Sequence, residues 1–437
     1  MAELDAGIAP RRMVAGGMTD TSADFLGTVD SATAALRVLF DPTPLQRNAY
    51  LSARYGADVW LKREDLSPVR SYKIRGAFNA MRKALAAEPD RRRFVCASAG
   101  NHAQGMAYAC HHFGTEGVIF MPVTTPKQKI DKTRQFGGGQ VEIRLVGDYF
   151  DDTLKAAQDF CAQAGAIFLP PFDNPDIVEG QASCAREILA QLPEGVAPDI
   201  VVLPVGGGGL SAGCVQVLRA AAPGAAIRFV EPCGAPSLKR ALEAGAPVTL
   251  PKVNNFVDGA AVARIGDLNY RVLAGTPPEH VLLAPEDRLC ATMLDMLNTE
   301  GFVLEPAGAL AVDALRDLPE IAGRTVVVVV SGGNFDFERL PDVKERALRW
   351  EGRKKYYILR LPQRPGALRD FLGTLGPDDD ITRFEYLKKS ARNFGSVLIG
   401  IETRKADAFA ALTAQFDRAG VQYQDITEND ILSNLII

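Results

Sequence analysis

Ile200-Val201-Val202-Leu203-Pro204-Val205-Gly206-Gly207-Gly208-Gly209-Leu210 decides the fold class. Its first six residues are apolar without alternation. That pattern marks a strand covered on both faces, and such strands belong to parallel sheets sandwiched by helices. Four glycines end the strand, and a helix is expected from Leu210 to Ala221. Thr325–Val330 is a second strand of the same kind, and Phe94–Ser98, Gly117–Pro122, Val141–Val146 and Ile227–Glu231 are shorter ones. Helical stretches such as 151–164 lie between them. The expected fold class is α/β, two subdomains built on mostly parallel sheets.

Composition narrows the function classes. The chain has 437 residues, 47% hydrophobic and 23% charged, the balance of a globular protein with room for two or three domains. A net charge of -4 disfavours nonspecific nucleic-acid binding. No apolar run approaches the ~20 residues of a membrane span. Early acidic residues Glu3 and Asp5, with no apolar core, argue against a signal peptide. Seven widely spaced cysteines without a CxxC read as reduced thiols in a cytoplasmic protein. Four histidines give a metal site little to build with, and none is expected.

Residues 1–24 read as a disordered tail, 25–342 as a catalytic domain with a small subdomain at about 75–165, and 343–355 as a charged helical linker. From 356 to 437 the pattern changes. Strand, helix, two strands, helix and an end segment follow in the ferredoxin-like α+β order.

Ser71-Tyr72-Lys73-Ile74-Arg75-Gly76-Ala77 opens an amphipathic helix, with Ile74, Phe78, Met81 and Leu85 on one face and Ser71 as the expected N-cap. Lys73 sits in its first turn, where the positive end of the helix dipole favours a neutral amine, the form that attacks an aldehyde. A lysine there is ordinarily a solvated surface group, so the downstream segments decide. Gly206–Leu210 offers backbone N–H groups and a helix N-terminus to an anion. It is neither GxGxxG, since Ser211 holds the last glycine position, nor a P-loop. A free phosphate group fits it better than a dinucleotide. Ser98-Ala99-Gly100-Asn101-His102 and Ser331-Gly332-Gly333-Asn334 also follow strands, the ligand end of an open α/β sheet. A lysine, a phosphate cradle, a carboxylate cradle and a lone hydroxyl together describe a pyridoxal phosphate site.

Lys-Arg-Glu-Asp-Leu at 62–66, Ser-Tyr-Lys-Ile-Arg-Gly-Ala at 71–77, Ser-Ala-Gly-Asn-His-Ala-Gln-Gly at 98–105, Pro-Val-Gly-Gly-Gly-Gly-Leu at 204–210, Glu-Pro-Ala-Gly-Ala at 305–309 and Ser-Gly-Gly-Asn at 331–334 occur in that order. As a set this resembles the threonine dehydratases, fold-type II (tryptophan-synthase-β-like) pyridoxal-phosphate enzymes, over about residues 30–340. The C-terminal block resembles one copy of their ACT-like regulatory domain. The resemblance implies that Lys73 carries the cofactor and moves the substrate α-proton. It implies that Asn101 bonds the cofactor's phenolic oxygen, that Gly206, Gly207, Gly208, Gly209 and Leu210 hold its phosphate, and that Ser331 faces its ring nitrogen. Ser98, Ala99, Gly100, Asn101 and His102 would hold the substrate carboxylate. A hydroxyl opposite the ring nitrogen weakens the electron sink and favours loss of the β-hydroxyl over transamination. The implied reaction is conversion of L-threonine to 2-oxobutanoate and ammonia, the first step of isoleucine synthesis. Isoleucine is the implied allosteric inhibitor and a homotetramer the implied assembly.

Departures refine this. Serine racemase relatives carry a serine at the position of Ala99, so racemisation is disfavoured. Their cation site near a Glu-Pro turn is matched at Glu231 and Ala235, but Ser237 replaces the expected carboxylate. Glu305 reads as a residue orienting the Ser331 loop. Asp173 and Asp176 read as parts of a turn-rich loop, His111-His112 as a helix-surface pair, and Met293 and Met296 as core. Gln363 stands where ACT loops usually place an acidic residue before Arg364-Pro365-Gly366-Ala367-Leu368. A catabolic threonine or serine dehydratase is the nearest alternative, disfavoured by the regulatory domain. A non-catalytic amino-acid sensor is disfavoured by the complete lysine, asparagine, serine and glycine set, and a dehydrogenase by the glycine spacing. One methyl group discriminates by only ~1–3 kcal/mol, so L-serine stays open as a substrate.

Overall fold

A computed structural model describes residues 21–387 and 393–429. The first helix, Thr21–Leu36, takes in the end of the expected tail; residues 1–20 lie outside the described residues. Along the chain run strands β1 (Leu45–Arg47), β2 (Asp58–Arg63), β3 (Arg93–Ala97), β4 (Glu116–Met121), β5 (Val141–Leu145) and β6 (Ile167–Phe168). Strands β7 (Ile200–Pro204), β8 (Ala226–Pro232), β9 (Val281–Ala284) and β10 (Thr325–Val330) follow. The last four are β11 (Lys354–Pro362), β12 (Asp380–Leu387), β13 (Phe394–Glu402) and β14 (Gln422–Asp425).

Among the described residues they form three sheets. The largest has the order β1-β2-β10-β7-β8-β9, parallel except for the edge strand β1. At its centre Val328 lies between Leu61 and Val202. Both faces of β10 are buried. Val326, Val328 and Val330 join one core with Met296 and Leu310, while Val327 and Val329 join another with Val201, Leu210 and Val215. Each fully buried valine contributes about 1.5–3 kcal/mol, so the unbroken valine run is stable only with helices on both sides. The smaller sheet, β5-β4-β3-β6, is wholly parallel, and the Asn101–Phe113 helix packs Ala103, Met106 and Cys110 against it.

The third sheet, β12-β13-β11-β14, is antiparallel throughout. With helices at Ala367–Leu372 and Ala408–Arg418 it has the ferredoxin-like order. Phe371, Phe409, Leu412 and Phe416 cover the face made by Tyr357, Leu359, Val397 and Ile399. The stretch expected as a linker is helical over Leu340–Trp350, and its Val343 and Ala347 are buried in the core under the largest sheet. The expected linker thus includes two core positions of the first domain, because a charged helix can still carry one apolar stripe.

Candidate active site

The first turn of the Lys73–Ala87 helix is fixed by backbone rather than by a cap. Ser71 pairs with Gly332 in an isolated antiparallel bridge, Tyr72 N–H donates to the Ser331 carbonyl at 3.2 Å, and Gly333 N–H donates to the Arg70 carbonyl at 2.9 Å. The expected Ser71 cap is therefore absent. Tyr72 holds the N-cap position in helical geometry, and no side chain caps the helix. Ser71 is instead held by Ser67, whose hydroxyl accepts from Ser71 N–H at 2.9 Å and donates to the Ser71 carbonyl at 2.8 Å. The same pairing sets Lys73 beside Ser331.

The 98–102 loop arrives from the smaller sheet. A β-carbon on Gly105, one turn into its helix, would lie 3.1 Å from Ile74 N and 3.2 Å from the Lys73 carbonyl. A larger residue there would have to push the neighbouring helix back by a few tenths of an ångström. Asn101 begins the helix, and its carboxamide donates to Glu305 Oε1 at 2.7 Å and accepts from Asn334 Nδ2 at 2.8 Å. Buried His102 meets the Leu169 carbonyl at 2.9 Å through Nε2, and burial with nearby Lys73 pushes its pKa down to about 3, so the ring is neutral. Gly100 N–H donates to Ser98 Oγ at 3.2 Å.

The glycine cradle follows β7 and enters the Gly209–Ala221 helix, with Gly208 at φ 89°, a left-handed conformation that disfavours other residues. The Gly207 carbonyl accepts from Asn269 Nδ2 at 2.8 Å and from Gly266 N–H at 3.2 Å. Ser211 is occupied with the Pro204 carbonyl at 3.0 Å. A β-carbon on Gly207 would overlap the Phe172 ring. Next to Phe172, the Pro171 carbonyl accepts from Lys73 Nζ at 2.8 Å, which ties the lysine to the mouth of the cradle. Ser331, at the end of β10, donates its hydroxyl to the Ala307 carbonyl at 3.1 Å. The expected segments thus converge at the carboxyl ends of β3, β7 and β10.

Electrostatics favour a reactive amine. Burial lowers the Lys73 pKa to about 8, against an opposing pull from Glu305. Burial, with Asp258 adding to it, raises the Glu305 pKa to about 7, while Asn101, Lys129 and Lys132 draw it down. Both groups therefore titrate close to neutral pH, where each is only partly charged.

Over residues 36–332 the chain matches the family described as pyridoxal-phosphate dependent enzyme. The chain belongs to that family. This pyridoxal-phosphate enzyme also matches, over residues 345–436, the C-terminal regulatory domain of threonine dehydratase. It is 46% identical over 398 residues to the biosynthetic L-threonine dehydratase IlvA of Bacillus subtilis, covering 90% of this chain and 93% of that one. To the IlvA of Corynebacterium glutamicum it is 44% identical over 410 residues, covering 93% and 94%. The processed form of threonine deaminase isoform 2 from Solanum lycopersicum superposes with a TM-score of 0.69 at 35% identity, covering 76% of this chain and 90% of that one.

The residues present fit the cofactor. The cradle leaves no room for a β-carbon at Gly207, and Lys73 has the lowered pKa that bonding to an aldehyde requires. Other residues have occupations of their own. Asp173 accepts from Asp267 and Leu268 N–H, both at 3.0 Å, and Asp176 pairs with Lys83 at 2.5 Å. His112 stacks edge-on with Phe78 and Phe113, and Met293 and Met296 are core. Glu231 spends its carboxylate on Leu238 N–H at 2.7 Å, Lys239 N–H at 3.0 Å and Ser237 Oγ at 3.2 Å. Phe172, Asn269 and Asn334 are site neighbours that sequence reading passed over. Asn334 closes the Ser331–Asn334 motif and could have been found there; Asn269 lies in no motif.

In the C-terminal domain, Gly366 at φ 85° turns the Gln363–Leu368 loop into its helix. A cavity of about 400 Å³ opens beside it, lined by Leu361, Arg364, Leu368, Leu372, Phe384 and Tyr386.

Proposed function

We propose that the chain is a biosynthetic L-threonine ammonia-lyase, converting L-threonine to 2-oxobutanoate and ammonia under feedback control by L-isoleucine. What supports the reading is that Lys73 Nζ bonds to Pro171 beside the glycine cradle, that Asn101 is bonded to Asn334 of the Ser331 motif, and that the chain also holds a regulatory domain match. When bound, pyridoxal phosphate supplies an electron sink for the bond broken at the substrate Cα.

The chain's own residues do the rest. The N–H groups of Gly206, Gly207, Gly208, Gly209 and Leu210 anchor the phosphate at a helix N-terminus. Lys73 holds the cofactor and then, as a neutral amine, takes the Cα proton. Asn101 would donate to the phenolic oxygen and Ser331 would meet the ring nitrogen without charging it. The loop Ser98, Ala99, Gly100, Asn101 and His102 receives the substrate carboxylate. Ala99 offers no base on the opposite face, so the proton leaves from one side only. Loss of the Cα proton and the β-hydroxyl leaves an enamine, which tautomerises and hydrolyses to the 2-oxoacid and ammonia. The water lost in the first stage is regained in the last.

On this reading the catalytic unit runs from residue 25 and takes in the Leu340–Trp350 helix beyond the expected boundary at 342, and 356–437 is the regulatory unit. The cavity beside Gln363–Leu368 has apolar walls for a branched side chain, with Arg364 at its edge for a carboxylate. Among the described residues no helix is long and apolar enough to cross a membrane, and all seven cysteines are free thiols. The free thiols support a cytoplasmic enzyme, and a homotetramer is the assembly proposed for it.

The test is 2-oxobutanoate formation from L-threonine by the cofactor-loaded protein, with and without L-isoleucine. Turnover that isoleucine suppresses, with a sigmoidal threonine dependence, is expected. Turnover indifferent to isoleucine would overturn the regulatory half and point to a catabolic enzyme. No turnover would overturn the substrate.

A further inference from the structure

We propose that Asn334 and Glu305 are positioning residues that clamp the Asn101 carboxamide from its two ends and so decide which of its atoms faces the cofactor. The inference rests on the reading of Asn101 as a cofactor contact and adds to it two residues that reading leaves out.

A carboxamide is nearly symmetric in shape and opposite in polarity at its two ends: NH2 donates twice and the oxygen only accepts. An asparagine at a ligand therefore presents the right atom only if something else breaks the symmetry. Here the break begins two residues away from the ligand. Asn334 donates from Nδ2 to the Val69 carbonyl at 2.8 Å, a group that can only accept. Its Oδ1 lies 3.5 Å from Lys132 Nζ, a group that can only donate. Asn334 is thus oriented by two partners that allow a single arrangement. Its amino group also reaches Asn101 at 2.8 Å, so the Asn101 atom there must be the oxygen.

The other end agrees. Asn101 Nδ2 donates at 2.7 Å to Glu305 Oε1, an acceptor. Turning Asn101 over would set two amino groups against each other at Asn334 and, with Glu305 ionised, two oxygens against each other at Glu305. Both repulsions would arise in a partly buried place, where unmatched polar groups are costly. One Nδ2 proton is spent on Glu305, so the second is the donor Asn101 has left to offer a ligand oxygen.

The backbone is shaped for the clamp. A β-carbon on Gly332 would overlap Glu305 Oε1, so glycine there admits the carboxylate, and Glu305 N–H reaches the Gly332 carbonyl at 3.4 Å. Gly332 is also the residue that pairs with Ser71, two positions before Lys73. The clamp therefore ties Asn101 of the smaller-sheet helix to the strap that sets Lys73 and Ser331.

The test reads the absorption band of the bound cofactor, which reports hydrogen bonding at its phenolic oxygen, and the rate of cofactor release, in the holoenzyme. Asn334→Asp keeps the shape and reverses the polarity at Asn101. Glu305→Leu removes the acceptor, and Glu305→Gln keeps an acceptor without the charge. Asn334→Asp and Glu305→Leu should each displace the band in the direction of Asn101→Ala and speed cofactor release about tenfold, the loss of roughly one hydrogen bond to a charged group. Glu305→Gln should return both to within about threefold of the starting protein, since its Oε1 still accepts. A residue that merely supported the fold would lower thermal stability without moving the band.

The proposal is overturned if Asn334→Asp and Glu305→Leu leave the band in place while Asn101→Ala moves it. It is overturned equally if Glu305→Gln behaves as Glu305→Leu, for charge and not an acceptor would then be what matters. If Asn101→Ala itself leaves the band unmoved, the cofactor role of Asn101 falls, and the clamp with it.

Discussion

Two cations stand two residues apart on one helix and are treated in opposite ways. Arg75 is buried and saturated. Its guanidinium reaches Glu64 at 2.7 and 2.8 Å, Glu187 at 2.6 and 2.9 Å, Ser183 at 2.9 Å and Thr43 at 3.0 Å. Lys62 adds a second cation to Glu187 at 2.7 Å, and Arg37 a third. Burial opposes both charges, yet the partners win: Arg75 is held well above its usual range and Glu187 is drawn down to about 2. Lys73 has a backbone carbonyl and only the opposing pull of Glu305, and burial wins. Its pKa falls to about 8 and that of Glu305 rises to about 7. Charges with matched partners hold structure, and charges left short of partners become neutral enough to react.

The largest effect that would break this contrast is in turnover. Lys73→Met should lower kcat by about 10³-fold or more, since it removes the group proposed to move the Cα proton. It should also leave thermal stability unchanged or raised, because a poorly partnered buried cation is gone. The pH dependence follows from the sign of the shift. Between pH 8 and 10.5 the folded lysine has released a proton that the unfolded one still holds. Stability should therefore rise with pH across that window, and Lys73→Met should flatten the rise. Below pH 8, cofactor capture by the cofactor-free protein should climb about tenfold per pH unit as the neutral amine accumulates. A plateau reached only near pH 10 would mean that Lys73 is an ordinary solvated lysine.

Glu187→Gln tests the other cation. It preserves shape and leaves Arg75, Lys62 and Arg37 short of an anion. Loss of one partner from a buried ion network costs about 3–5 kcal/mol, so the urea midpoint should drop sharply. The contrast fails if this variant is as stable as Lys73→Met.

The same contrast explains what could be read from the chain alone. Regular patterns carried the fold: the apolar runs of β7 and β10 and the strand order after residue 356 needed no partners to be recognised. The candidate site could be proposed where chemistry is local, as in Lys73, the glycines and Ser331. It was illegible where the partner comes from elsewhere. The lowered pKa of Lys73 was expected from the helix dipole, whereas burial is its leading cause. Ser71 looked like a cap because serine before a helix usually is one; its backbone is committed instead to Gly332, more than two hundred residues away in sequence. Glu305 was expected to serve the Ser331 loop, and its carboxylate reaches Asn101 as well. The buried charges of Lys62 and Glu64 look like a solvated edge until Arg75 and Glu187 are placed against them.

A smaller effect sharpens the comparison at the cradle, which carries no side-chain charge. Gly207→Ala would push its methyl into the Phe172 ring. Overpacking of this kind costs about 1–3 kcal/mol, so cofactor affinity should fall roughly 5- to 150-fold. Phe172→Ala in the same chain should recover most of the loss, and equilibrium dialysis would measure both. Independent losses that simply add would show that the ring and the glycine are not in contact.

The smallest effect concerns the cation just before the pair, Arg70. Among the described residues it is the one non-glycine with positive φ, at 58°. Its carbonyl accepts from Gly333 N–H at 2.9 Å, and its Nε lies 3.4 Å from the Gly333 carbonyl. The backbone bond needs the left-handed conformation, and the side-chain bond is long. Arg70→Gly keeps the first, relieves the strain and gives up the second, while glycine adds freedom to the unfolded chain. These terms oppose one another at about 1 kcal/mol or less each, so the unfolding midpoint should barely move, and turnover should hold because the strap that carries Lys73 is made of backbone. A large loss of turnover without loss of stability would show instead that the Arg70 guanidinium itself serves the site, and the division between structural and reactive cations along residues 70–75 would have to be redrawn.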